Sequence, residues 1–178
     1  VRSTYEGQTA VYAANMWLAR IYIDQGNVPE ANKHLKDVEA ALDKLKQIEE
    51  AKKEKGRRDK EVRKNDPEKF PKKWMDDYLL LQARLALLKD ENSKAIEFVE
   101  TALNEHVRGR DNKGRIGFIL GQLYQEQGNG PKAAEYYKLA IRKAPKYEME
   151  FHARINRAIA LGKEGEGLAE ELLKMAKD

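Results

Sequence analysis

Leu120-Gly121-Gln122-Leu123-Tyr124, followed by Gly128, Ala133, Tyr137, Ala140 and Pro145, sets the reading of this chain. An earlier stretch, Leu18-Ala19-Arg20-Ile21-Tyr22, is followed in the same way by Gly26, Ala31, Leu35 and Val38. Tyr22 precedes Ala31 by nine residues, and Tyr124 precedes Ala133 by nine. Small residues at fixed offsets, apolar residues at three- and four-residue spacings and a glycine between the two runs predict a helix, a tight turn and a second helix. Ala83, Ala86, Ala95, Val99 and Ala102 make a middle copy. Ala95 lies 64 residues after Ala31 and 38 before Ala133. Against a repeat of about 34 residues, this implies an insertion of about 30 residues and then one of about four.

The pattern resembles the tetratricopeptide repeat (TPR), a helix-turn-helix unit whose copies stack into a right-handed superhelical solenoid. The expected fold is therefore all-α, a TPR-like solenoid of antiparallel helix pairs forming one domain over 1–178. Its approximate units are 4–50, 71–107, 114–145 and 147–177, with a basic charged insert at 52–70. The fourth unit matches only with a turn one residue longer, which puts Asn156 at a small-residue position. Such repeats bury their apolar faces by stacking. Small residues (Ala19, Ala83, Gly121, Ala31, Ala95, Ala133) let the helices approach, and Tyr22, Tyr124 and Tyr137 fill the gaps.

Along the chain, the first helix is expected from about Thr4 to Gln25, with Val11, Ala14, Leu18, Ile21 and Tyr22 as its apolar stripe. The second carries Ala31, Leu35, Val38, Leu42 and Leu45, and the sequence allows it to extend past Ile48 toward Gly56. A third helix is expected from Pro71 to Leu88. The fourth is capped by Asn92 or Ser93, and a basic connection follows over 108–114. The fifth and sixth helices are joined at Gly128-Asn129-Gly130-Pro131. The seventh spans about 148–161, and the eighth holds Leu168, Ala169, Leu172, Leu173 and Ala176.

The 178 residues suffice for one continuous core. Charged residues form 36% of the chain and mean hydropathy is −0.81, which points to a soluble helical protein. No apolar run approaches the ~18 residues of a membrane span. With no cysteine, disulfides, thiolate metal sites and cysteine nucleophiles are excluded. The chain starts at Val1 rather than Met and is expected to be part of a longer protein.

The net charge of +4 is concentrated. Eleven basic and five acidic residues lie between Lys52 and Lys73, a surplus of six, so the rest of the chain is slightly acidic. Clustered lysine and arginine suggest nucleic acid or an acidic partner as an alternative function. Interleaved acids, and aromatics (Phe70, Trp74) only at the far end, argue instead for a solvated excursion.

In this architecture the first helix of each pair lines the concave side. One position recurs there as Arg20, Arg84, Gln122 and Arg157. Met16, Leu80 and Phe118 lie one turn earlier, and Asp77 and Arg115 earlier still. Guanidinium groups beside apolar patches suit an extended peptide or an acidic helix. The competing reading leaves these arginines solvated or paired within the fold, Arg20 with Asp24 for example. His34, His106 and His152 have no metal-ligand spacing and are expected at the surface or its boundary. Gly162 to Gly167 lacks the strand and the Gly-Lys-Ser/Thr ending of a phosphate loop and reads as a turn. No catalytic constellation and no cofactor motif emerges. The expected activity is non-catalytic protein or peptide binding, without nucleic acid and with the oligomeric state open.

Three stretches extend the resemblance: Leu18 to Tyr22, Phe118 to Tyr124, and Tyr147-Glu148-Met149-Glu150-Phe151-His152-Ala153-Arg154-Ile155-Asn156. They resemble the TPR lipoproteins of Bacteroidetes associated with gliding motility and type IX secretion (the SprE/PorW group). That resemblance implies a periplasmic scaffold, anchored at the outer membrane in the full-length protein and contacting secretion or motility components.

Overall fold

The computed structural model describes residues 9–54, 70–144, 146–162, 167, 170 and 173. Among them every regular element is helical and none is a strand. The order is α1 (Thr9–Asp24), α2 (Val28–Glu54), a 3-10 turn (Lys72–Trp74), α3 (Met75–Leu88), α4 (Asn92–Thr101), a π-helical turn (Ala102–His106), α5 (Arg110–Glu126), α6 (Gly130–Lys143) and α7 (Tyr147–Leu161). The start expected at Thr4, nearly all of the basic insert, Pro145 and most of the eighth helix lie outside the described residues, as do the side chains of Leu45 and Ile48. The chain forms two compact units, Val1–Asp90 and Glu91–Asp178. Their boundary falls between α3 and α4, inside the helix pair expected over 71–107.

Two turns are built alike because they share Gly-Asn-x-Pro. Gly26 and Gly128 end α1 and α5 at φ +69° and +74°, the left-handed region where a Cβ is penalised. The Asn27 N–H then donates to the Tyr22 carbonyl, and the Asn129 N–H to that of Tyr124, each at 2.8 Å. This is the Schellman arrangement. Each asparagine next caps the following helix: Asn27 Oδ1 accepts from the Glu30 N–H and Asn129 Oδ1 from the Lys132 N–H. The nine-residue spacing from Tyr22 to Ala31 and from Tyr124 to Ala133 is thus the length of one repeated turn. At the start of α4 neither Asn92 nor Ser93 caps. Glu91 precedes the helix and makes no side-chain cap bond.

In the first unit, α1 packs on α2 and α3. Its core face is Tyr12, Asn15, Met16, Ala19 and Ile23, not the expected stripe. Leu18 and Ile21 are exposed, and Tyr22 is half-buried. The helix is apolar nearly all round, so two stripes at helical spacing compete, and tertiary contact selects the one through Ala19. His34 also departs from expectation. It is buried at 8% exposure, stacks on Tyr22 (centroids 5.6 Å apart, planes 6°) and has its Nδ1 3.0 Å from Asn15 Oδ1. Phe70, 3% exposed, packs against Tyr12, Trp74 and Tyr78 with centroids 5.7, 6.1 and 6.2 Å away. The far end of the insert is therefore nailed to α1 and α3 by aromatic contacts.

In the second unit, α6 lies between α5 and α7. The expected 108–114 connection is shorter, because Gly109 turns at φ +82° and α5 begins at Arg110. Gly114 is helical, and a Cβ there would meet the Lys143 carbonyl at 2.6 Å. Ala133, Ala140 and Ala153 are fully buried, so α6 closes on both neighbours through small residues. In α7 the buried small residue is Ala153, while Asn156 is only half-buried. Glu100 on α4 joins three helices. Its Oε1 accepts from the hydroxyls of Tyr124 (α5) and Tyr136 (α6), each at 2.7 Å, and the two rings stack at 5.5 Å.

Candidate functional site

A concavity lies in the first unit. Along α1, Ala13, Met16, Trp17 and Arg20 recur at helical spacing and present one side of the helix. On α3, Asp77 and Leu81 stand one turn apart and face them. Trp74 joins from the 3-10 turn just before α3. Together they bound a cleft of about 230 Å³. Trp74 is held there locally: its N–H donates to the Pro71 carbonyl at 2.9 Å, and its ring meets buried Phe70 edge-on.

The walls combine apolar and charged groups. Met16, 9% exposed, reaches the core below, whereas Trp17 is 62% exposed, an unusual degree for the largest apolar side chain. The Arg20 guanidinium lies 5.2 Å from the centre of the Trp17 ring, a cation–π contact. The Asp77 carboxyl is raised above its ordinary range, chiefly by burial and then by the charge of Asp76, with Arg20 opposing. Asp76 Oδ1 accepts from the Asp77 N–H, and both acids lie in the first turn of α3, where the helix dipole favours negative charge.

The nine candidate residues are not gathered at this place. Met16, Arg20 and Asp77 line the cleft. Leu80 is half-buried on α3 outside the lining. Arg84 donates to Asp24 Oδ1 at 2.5 Å, so the aspartate that the sequence offered to Arg20 is taken by a different arginine. Both partners are about half exposed, and such a pair is worth roughly 0.2–1 kcal/mol.

The other four candidates belong to the second unit. Arg115 and Gln122 are exposed on α5, and Phe118 is half-buried with its ring edge-on to Tyr137 (5.6 Å, 65°). Arg157 on α7 is half-buried, and its Nε has no hydrogen-bond partner among the described residues. With Ala153 as the small residue of α7, the position just after it is Arg154. That side chain is bonded to Glu150 at 2.8 Å.

Sequence reasoning missed Trp17 and Trp74. The available signal was Trp17 itself, one residue past Met16 and three before Arg20, on the same side of the helix. Among the described residues no group of three or more His, Cys, Asp or Glu side chains could hold a metal, and no helix is long and apolar enough to cross a membrane. No family model, curated protein or solved structure matches the chain.

Proposed function

We propose that this chain is a non-catalytic binding module of the TPR-like, right-handed solenoid type, and that it holds a partner polypeptide. The observation that carries this reading is the cleft between α1 and α3, where three residues expected to contact a partner, Met16, Arg20 and Asp77, border one open space with two tryptophans. Interface anchors are enriched in tryptophan and arginine, and an exposed Trp17 beside a stacked Arg20 has that composition. The repeated Gly-Asn-x-Pro turns and the buried alanines that let paired helices close support the repeat reading. By the resemblance of the three stretches quoted above, the setting is a periplasmic scaffold, outer-membrane-anchored in its full-length form and contacting secretion or motility components.

The test is capture from a native extract with the chain and two charge reversals. Arg20→Glu is expected to abolish capture while far-UV circular dichroism stays unchanged. Arg84→Glu, whose parent side chain is engaged by Asp24, is expected to reduce it less. Undiminished capture by Arg20→Glu would place the partner on another face.

A further inference from the structure

The cleft on α1 and α3 also constrains what part of a polypeptide enters it. At about 230 Å³ it falls below the roughly 300–1,000 Å³ of small-molecule sites. It matches the scale of an inserted side chain rather than of a cofactor or metabolite. Its floor is apolar, with Met16 adaptable in shape, and a tryptophan stands on each wall. The charges are opposed: Arg20 projects from α1 and Asp77 from α3. Among the described residues no carboxylate forms an ion pair with Arg20, whose guanidinium rests on the Trp17 ring.

A ligand carrying one net charge would meet a like charge on one wall. A peptide group meets neither penalty, because it offers an acceptor to the guanidinium and a donor to the carboxylate. Those main-chain groups are free only in an extended segment; in a helix they are already bonded to one another.

We propose, resting on the polypeptide-holding reading above, that this cleft is an anchor pocket for one large apolar side chain of an extended partner segment. The Arg20 guanidinium donates to a main-chain carbonyl beside the anchor, and the Asp77 carboxylate accepts from a main-chain N–H. Trp17 and Trp74 flank the anchored side chain. Stacking on Trp17 holds Arg20 in place before the partner arrives, which lowers the ordering cost of binding. The segment's flanking charges are not read.

The chain has two tryptophans, and both line this cleft, so tryptophan emission reports its occupancy. The probe is a phage-displayed library of random dodecapeptides, panned on the intact chain, with enriched peptides then synthesised and titrated by fluorescence. The expected consensus is a single large apolar residue without a fixed charge. Replacing that residue by alanine, or using Trp17→Ala or Arg20→Ala protein, weakens binding roughly tenfold or more. An ester in place of the amide N–H beside the anchor weakens binding to the parent chain but not to Asp77→Ala. Circular dichroism of each variant confirms an intact fold. A consensus made of charges alone overturns the anchor. So does a peptide that binds without changing tryptophan emission and ignores Trp17→Ala; that outcome leaves polypeptide holding in place at another face. Failure to enrich any peptide overturns both.

Discussion

A Cβ placed on Gly121 would lie 2.6 Å from Cδ1 and from Cε1 of Tyr137, a ring that is 1% exposed. The ring therefore occupies the space the glycine leaves empty. Alanine at an exposed helix position would gain up to about 1 kcal/mol over glycine. Here the clash outweighs that gain, because the atoms it meets belong to a buried ring rather than to the free end of a flexible side chain. Gly121→Ala is expected to lose about 1–3 kcal/mol, and Gly121→Leu at least as much. Urea unfolding with an unchanged m-value and a lower midpoint would show it.

Glu100 ties α4 to α5 and α6 through two tyrosine hydroxyls on a single carboxylate oxygen. Hydrogen bonds to a charged acceptor contribute about 1.5–3 kcal/mol each when removed without replacement. Glu100→Ala is expected to cost about 2–4 kcal/mol in total, reduced by partial access of water to the site. Glu100→Gln keeps an acceptor and should cost about half as much. Thermal melts of the two variants beside the parent test the order.

Burial raises the phenols of Tyr78 and Tyr137 from 10.0 to about 12. Nearby acids add to this, Glu39 and Asp43 for Tyr78 and Glu126 for Tyr137. Tyr124 and Tyr136 are raised as well, by burial first and then by bonding to Glu100. Above pH 10 the unfolded chain releases these protons while the folded chain retains them. Their contribution to stability is complete below pH 10 and declines from there toward about pH 12. Urea midpoints measured across that interval should fall, and fall less steeply in a Tyr78→Phe/Tyr137→Phe double variant.

Phe70 fixes the end of the insert against Tyr12, Trp74 and Tyr78. Removing a buried phenylalanine costs about 3–5 kcal/mol. Phe70→Ala is expected to destabilise the chain by that amount and to shift the emission of Trp74, its edge-on neighbour. A variant at parental stability would contradict the packing.

Asp90 ends α3 at φ +58°, the left-handed conformation that Gly26 and Gly128 adopt at the two matching turns. Asp90→Gly relieves backbone strain and is expected to raise stability by about 0.5–1 kcal/mol. A lowered unfolding midpoint would refute this.

Turns and close approaches were the legible part of this chain. Glycine and asparagine act through backbone geometry, and their effect depends on a few neighbours in sequence. Gly26-Asn27 and Gly128-Asn129 accordingly form the turns expected of them, and Ala31, Ala95 and Ala133 are buried. The choice of face on α1 was not legible. Tyr12, Met16, Ala19 and Ile23 make as good a stripe as Ala14, Leu18 and Ile21, and only contact with α2 and α3 decides between them. The burial of His34 was hidden for a related reason. Its Asn15 partner is 19 residues away, and neither residue type announces a core position. At the candidate site, Arg20 and Asp77 followed from the sequence spacing that the repeat resemblance singled out. Trp74 did not, because it reaches the cleft through the docking of Phe70 rather than through any repeat.

The π-helical turn at Ala102–His106 has an evolutionary consequence. It ends with the Val107 N–H bonded to the Ala102 carbonyl at 2.7 Å, five residues back, and with Val107 fully enclosed. A wide turn of this kind holds one residue more than an α-turn over the same rise. Loss of a single exposed residue such as Asn104 would let the coil tighten to ordinary pitch and leave Val107 seated. The segment can therefore absorb a one-codon deletion without rotating the helices on either side out of phase.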